Sequence, residues 1–282
     1  MSKFVKYGIK ALATAVSVAL VSVLAACSAT TAATSTSSAL QTVTAGKLTI
    51  GTGTPAYSPW VLDDKPESGK GFEAAVAYAV AKQLGFASKD VVWVRTSFDE
   101  AIAPGPKNFD FNLQQYSITP ERAKSIDFSS PYYQTAQTVI TVKGSKAASV
   151  TSTAGLKGLL LGAATGTTSY TAITDVIKPS QKPLAFNSND DAKAALTNGQ
   201  VDAIVVDLPT AIYLTAVELT GGIIVGQLPT AAKGDQFGLV LDKGSKLTKS
   251  VDQALAALKA DGTLAALEAK WLTTAAGVPV LK

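Results

Sequence analysis

From residue 47 to residue 271, short β-rich runs alternate with runs of helical periodicity, and this alternation limits the fold more than any other feature of the chain. A strand followed by a helix and then another strand must cross over its own sheet, so the pattern predicts α/β layers with largely parallel strands. Residues 47–52 read as a strand, and residues 72–84 as a helix with Phe72, Val76, Ala79, Val80 and Leu84 on one face. Strands are expected at residues 91–94 and 109–114. The second alternates Phe109, Phe111 and Leu113 with Asp110, Asn112 and Gln114, hence one apolar and one polar face. The pattern then repeats, with strands at 159–164, 184–186, 201–206, 223–225 and 237–241 and helices at 168–176, 190–197, 210–217, 247–259 and 264–271. Ser188 or Asn189 caps the helix at 190–197, and Asn198-Gly199 ends it. Two βα sets of about 100 residues each favour two lobes over one continuous sheet.

The 282-residue chain is 47% hydrophobic, which is enough for proper cores and too apolar for a disordered protein. It has no His and one Cys, so a disulfide framework, a structural zinc site and a His-based triad all lack their residues. No metal, cofactor or catalytic residue is expected. The net charge of +4 is local: without Lys3, Lys6 and Lys10, 22 basic residues face 21 acidic ones. Nothing in that balance points to nucleic acid.

Residues 1–26 divide into a basic stretch, 1–10, and an apolar run, 11–26, that ends in Ala25-Ala26. The run falls short of the roughly 20 apolar residues that span a bilayer comfortably, which is the layout of a secretory signal peptide. Leu24-Ala25-Ala26-Cys27 resembles the lipobox of bacterial lipoproteins, in which the cysteine is diacylated and becomes the new N-terminus. Lipidation of Cys27 is the expectation, with ordinary signal cleavage and an uncleaved anchor as alternatives. Two acyl chains give stable attachment, so an extracytoplasmic location is expected, on the outer face of the cell membrane or in the periplasm. Residues 27–39 read as a flexible linker, since 28–38 hold only Ser, Ala and Thr.

Three polar clusters fall at strand-to-helix junctions, where open α/β sheets place their ligands. In Ser117-Ile118-Thr119-Pro120-Glu121-Arg122, Thr119 is an N-cap candidate and Pro120 a first helical residue, which puts Arg122 in the first turn. A cation there opposes the helix dipole, and a ligand carboxylate held by the guanidinium fork removes the conflict. The alternative is a surface pair with Glu121 or Asp127. Gly166-Thr167-Thr168 sits at a helix start, where free N–H groups and hydroxyls hold anions or a threonine simply caps. Asp207 ends an apolar strand just before Leu208-Pro209, placed to take an ammonium or to cap the next helix. Two anion-seeking sites and one cation-seeking site suit a small zwitterion.

In these segments the chain resembles the polar amino-acid-binding lipoproteins and periplasmic receptors of ABC importers, the extracellular solute-binding proteins of family 3. The resemblance runs from Lys47 to Leu272. It rests on Ser117 to Arg122, on Asp127-Phe128-Ser129-Ser130-Pro131-Tyr132-Tyr133, on Leu156-Lys157-Gly158 leading to Gly166-Thr167-Thr168, and on Asn198-Gly199-Gln200-Val201-Asp202-Ala203 leading to Asp207. Gly71-Phe72-Glu73 and Ala260-Asp261-Gly262-Thr263 add to it.

The resemblance implies a two-lobed, type II periplasmic-binding-protein-like α/β fold, each lobe a mixed, mostly parallel sheet flanked by helices. Lobe 1 is expected from residues 40–131 and 238–282, lobe 2 from 137–232, and hinges from 132–136 and 233–237. Arg122 is implied as the clamp of the ligand α-carboxylate, with Thr168 and backbone N–H groups near Thr167. Asp207 would take the α-ammonium, helped by Ser117 and the main-chain carbonyl near Gln115. Tyr57 and Phe98 would enclose the ligand side chain, with Trp60 one step from that wall.

This chain departs from the family pattern at three places. Gln114-Gln115-Tyr116 stands where small residues usually end the strand, so longer amide side chains reach or narrow the pocket. No acid lies near Gly53-Thr54, which disfavours a cationic ligand. Glu73 replaces an Asp at a helix start, read as a structural change. The expected ligand is a free amino acid, neutral and polar like glutamine, delivered to an ABC permease by a monomeric receptor that is not an enzyme. The alternatives are a cyclohexadienyl dehydratase-like enzyme on the same fold and an amino-acid sensor without transport.

Overall fold

The computed structural model describes residues 40–229, 234–272 and 277–282. The expected signal segment, Cys27, the linker and Lys233 of the second expected hinge lie outside these residues. The strands, in chain order, are β1 (Leu48–Gly53), β2 (Val91–Thr96), β3 (Phe111–Asn112), β4 (Asp127–Phe128), β5 (Tyr133–Thr135), β6 (Gln137–Val142), β7 (Leu161–Ala164), β8 (Leu184–Phe186), β9 (Ala203–Asp207), β10 (Gly222–Gln227), β11 (Asp235–Phe237) and β12 (Val240–Leu241). The helices are α1 (Phe72–Gln83), α2 (Phe98–Ile102), α3 (Thr153–Leu156), α4 (Thr168–Ala172), α5 (Asn189–Thr197), α6 (Leu208–Tyr213), α7 (Thr248–Ala260) and α8 (Thr263–Trp271).

Two five-stranded sheets result, ordered β2-β1-β3-β12-β4 and β10-β6-β9-β7-β8, with β5 and β11 paired as a separate ribbon. Each sheet is mixed. The parallel pairs β1/β2, β1/β3, β7/β8 and β7/β9 belong to strands joined by helical crossovers. Antiparallel pairs form where a strand enters from the long connections, as β12 does against β3 and β4, and β6 against β9 and β10.

The first sheet packs Leu48, Ile50, Phe111 and Leu113 against Phe72, Val76 and Val80 of α1 and Val251, Leu255 and Leu258 of α7. These are the i, i+3, i+4 faces that the periodicity predicts. The second sheet has apolar groups on both sides, with Val139, Leu161 and Val205 in one cluster and Ile140, Ile204 and Val206 in the other. A sheet covered on both faces explains why its strands read as continuous apolar runs.

Several local expectations need correction. The expected strand at 109–114 narrows to Phe111–Asn112, and its polar face is buried rather than solvated: Asp110 is 4% exposed and Asn112 fully buried. Asp110 accepts from the Val43 and Thr49 amides at 2.7 and 2.6 Å, and Asn112 donates to Thr96 Oγ1 at 2.9 Å. The Asp110 carboxylate thus satisfies two backbone amides, while the Asn112 amide serves a side-chain hydroxyl. The run at 237–241 is two strands, β11 in the ribbon and β12 in the first sheet. The helices expected at 168–176 and 210–217 pass into π-helical turns, Ile173–Ile177 and Leu214–Glu218.

A candidate ligand-binding cleft

The segment that carries Arg122 is a loop and not an α-helix. β4 begins at Asp127, which leaves room for only a 3₁₀ turn, Arg122–Lys124. The N-cap position of that turn is Glu121, without a side-chain cap, and the Thr119 hydroxyl accepts from the Arg122 amide at 3.2 Å. The helix-dipole conflict expected at Arg122 therefore does not arise. Its guanidinium donates instead to the Ser117 carbonyl at 2.7 Å and the Gly166 carbonyl at 2.8 Å, and lies 5.2 Å from the centroid of the Phe98 ring. The surface-pair alternative fails on geometry, because Glu121 pairs with Lys124 and Asp127 with Lys243. Burial lowers the Arg122 pKa from its ordinary value, while Tyr116, Asp207, Asp235 and Asp99 act in the opposite direction.

Gly166, at φ +69°, makes the turn into α4, and an added Cβ would lie 2.6 Å from Asp99 Oδ1. This position favours glycine. Thr167 is the N-cap of α4: its hydroxyl accepts from the Tyr170 amide at 3.2 Å and donates to the Ala164 carbonyl at 2.7 Å. That hydroxyl is fully engaged, so Thr167 contributes to the cleft by its position and backbone. Thr168 Oγ1 lies 3.1 Å from Ser117 Oγ and 3.3 Å from Gln137 Nε2.

Asp207 precedes α6 yet makes no side-chain cap, so the capping alternative does not hold. Its Oδ1 accepts from Gln137 Nε2 at 2.9 Å, and the same nitrogen lies 2.8 Å from Asp235 Oδ2. Burial, with the neighbouring Asp235 carboxylate, raises the Asp207 pKa to about 8, against the pull of Gln137 and Arg122. A carboxyl in this state accommodates a cation readily, since an ammonium replaces the proton it otherwise retains.

These residues line one cavity of about 120 Å³, whose walls include Tyr57, Phe98, Gln114, Gln115, Arg122 and Asp207. Thr167 and Thr168 line it too. Of the nine residues expected from sequence, seven meet there and two do not. Ser117 is 3% exposed and sits behind the wall, its hydroxyl donating to Asp235 Oδ2 at 3.1 Å. Trp60 is fully buried in the core among Phe72, Tyr133 and Phe237, and donates through Nε1 to Thr210 Oγ1 at 2.9 Å. Its large apolar ring finds more burial there than a cleft offers.

Gln115 reaches the cavity in a left-handed conformation, φ +53°. Glu73 holds it there, accepting from the Gln115 amide at 2.8 Å, from the Gln115 side chain and from the Tyr132 hydroxyl. Burial raises the Glu73 pKa to about 7, against these three hydrogen bonds. Glu73 thus does more than open a helix. Sequence reasoning also missed Gln137, Asp235, Asp99 and the Asn187-Ser188-Asn189 wall. Gln137 stands opposite Asp207 across the β6/β9 pair, a register that local sequence pattern does not reveal.

Comparison with known proteins matches residues 48–274 to the bacterial extracellular solute-binding proteins, family 3. The ABC transporter glutamine-binding protein GlnH of Bacillus subtilis (strain 168) is 30% identical over 212 residues, which cover 73% of this chain and 75% of the relative. Among solved structures, an ancestral arginine-binding protein bound to arginine superposes with a TM-score of 0.69 at 32% identity, covering 81% of this chain and 99% of that one. The ancestral amino acid-binding protein AncCDT-1, a precursor of cyclohexadienyl dehydratase, superposes at 0.66 with 31% identity, covering 81% and 96%. The type II binding-protein architecture that the resemblance implies is the architecture of these neighbours. With the sheet pattern, the cleft and the matched span in agreement, the chain belongs to the bacterial extracellular solute-binding proteins of family 3.

Proposed function

We propose that this protein captures a free amino acid outside the cytoplasm and delivers it to the permease of an ABC importer, without chemistry of its own. One observation carries the reading: a guanidinium and a carboxyl, Arg122 and Asp207, line the same small cavity. Arg122 takes the α-carboxylate, with Thr168 and the backbone at Thr167 beside it. Asp207 takes the α-ammonium, and Tyr57 and Phe98 flank the side chain. Thr54, Gln114, Asn187 and Asn189 give the remaining wall amides and a hydroxyl, which suits a neutral polar side chain, glutamine-like. Residues 40–131 with 238–272 form one lobe and residues 137–232 the other, and the β5/β11 ribbon lies in the hinge segments 132–136 and 233–237. The expected bound at 282 is too long, because residues 279–282 pack on the second sheet, with Leu281 in its core and Gln227 hydrogen-bonded to Pro279 and Leu281. Closure dehydrates the ligand and strengthens both charged contacts.

Cys27 carries the lipid anchor in this proposal, and the receptor acts as a monomer on the outer membrane face. Among the described residues no helix is long and apolar enough to cross a membrane. The test is calorimetric titration of protein refolded free of bound ligand against the twenty common amino acids; binding of none of them sinks the assignment.

A second reading, a dehydratase-like enzyme, has one observation in its favour: Asp207 holds a proton near neutral pH in the cavity, as a general acid must. Incubation with prephenate or arogenate separates the readings, since an aromatic product appears only in the second.

A further inference from the structure

Gln114 follows β3 and lines the cavity, as do Thr54 and Tyr57 after β1 and Ser188 and Asn189 after β8. The Tyr116 hydroxyl donates to Gln114 Oε1 at 2.9 Å. Tyr116 is itself fixed: it is fully buried and stacks on Phe98 with ring centroids 4.7 Å apart. With Oε1 occupied, Nε2 lies over Gly53 at the end of β1, only 2.8 Å from where a Cβ of that residue would stand. Among the described residues Gln114 Nε2 donates to no protein acceptor. The two acids of the cavity wall are elsewhere, Asp99 against Gly166 and Asp207 against Gln137.

We infer that Gln114 is the specificity-determining side chain of the cleft: with its Oε1 held by Tyr116 and its Nε2 engaged by no protein acceptor, it selects an amino acid whose side chain ends in a hydrogen-bond acceptor, such as a carboxamide, over one that ends in a cation. The inference rests on the amino-acid reading above and names the class of ligand within it. A distal carbonyl oxygen accepts from Nε2. A distal ammonium meets those same hydrogens as a second set of donors and leaves both groups unpaired in a confined space. An apolar tip leaves Nε2 without an acceptor. A site built on such a donor rejects the analogue that lacks the matching group.

Calorimetric titration of the full chain with L-glutamine, L-norvaline and L-ornithine tests this. The wild-type protein is expected to prefer glutamine over both others by about 10- to 100-fold, the size of one unpaired buried polar group. Gln114→Ala should reduce the glutamine-to-norvaline ratio about 10-fold or more. Gln114→Glu, of the same shape but with acceptors in place of donors, should shift preference toward ornithine. Tyr116→Phe removes the hydrogen bond to Gln114 Oε1 and should lower the glutamine-to-norvaline ratio while the fold, checked by thermal unfolding, persists. If the wild type binds all three equally or favours ornithine, the selector role fails and the amino-acid reading stands. Unchanged ratios in Gln114→Ala, or no gain for ornithine in Gln114→Glu, also overturn it. If the wild type binds no amino acid at all, both fall together.

Discussion

The two walls of the cleft are built by different means. On the wall contributed by the first sheet, Arg122, Gln115 and Gln114 sit on irregular backbone, and each is held by a partner: Arg122 by the Ser117 carbonyl behind it and the Gly166 carbonyl of the other wall, Gln115 by the Glu73 carboxyl, and Gln114 by the Tyr116 hydroxyl. On the wall contributed by the second sheet, Thr167, Thr168 and Asp207 stand where a strand turns into a helix, and the regular backbone fixes them. Loops need polar support for each binding group, whereas at the strand–helix junctions the cap fixes Thr167 and a single side chain, Gln137, serves both Thr168 and Asp207. The first wall is therefore the one where distant substitutions should disturb binding.

The largest expected effect tests the charge on the first wall. Arg122→Ala should weaken L-glutamine binding by about 3–5 kcal/mol, because it leaves a carboxylate enclosed without its cation; titration showing the same affinity would remove Arg122 from the site. Arg122→Lys should also weaken it, since an ammonium lacks the planar fork. On the second wall, Asp207→Asn should cost about 1.5–3 kcal/mol for the amino acid, the range for a hydrogen bond to a charged group. The deaminated analogue should lose less, and equal losses would mean that Asp207 does not hold the ammonium.

Acid–base behaviour distinguishes the walls further. Asp207 rises from 3.8 to about 8 and Glu73 from 4.5 to about 7. Both carboxyls bind more protons folded than unfolded across those windows, so the stability of protein without amino acid should fall as pH rises from about 4 to about 8. Thermal unfolding at pH 5, 7 and 9 measures the slope. Asp207→Asn should flatten it throughout, and Glu73→Gln only up to about pH 7; a rising slope contradicts the burial argument. Glu73→Gln should also weaken binding by about 1 kcal/mol through misplacement of Gln115. The smallest effect lies away from both walls: Trp60→Phe, which removes one hydrogen bond to Thr210, should lower stability by about 1 kcal/mol in denaturant titration.

Much of this arrangement was legible in the sequence, and the boundary is physical. Arg122 and Asp207 stand out because each is a charge at the end of a patterned segment. The helix periods of α1 and α7 follow from one-sided burial. What sequence could not reveal depends on contacts between remote residues: Glu73 meets Gln115 and Tyr132 from 42 and 59 positions away, and Gln137 meets Asp207 and Asp235 from 70 and 98. Trp60 was misplaced for the same reason, since aromatic neighbours such as Phe237 are invisible to local pattern. The 3₁₀ turn at Arg122 escaped because the Thr119-Pro120 start signal carries no information on how soon the chain must re-enter its sheet.

The hydrogen bond from the Trp60 indole to Thr210 joins residues packed with the first sheet and with the second. In the proposed hinge motion, parting of the lobes breaks it and uncovers the indole N–H. With three tryptophans in the chain, this one gives the molecule a built-in optical reporter: its emission should move to longer wavelength on opening and return as an amino acid draws the halves together, with no dye attached.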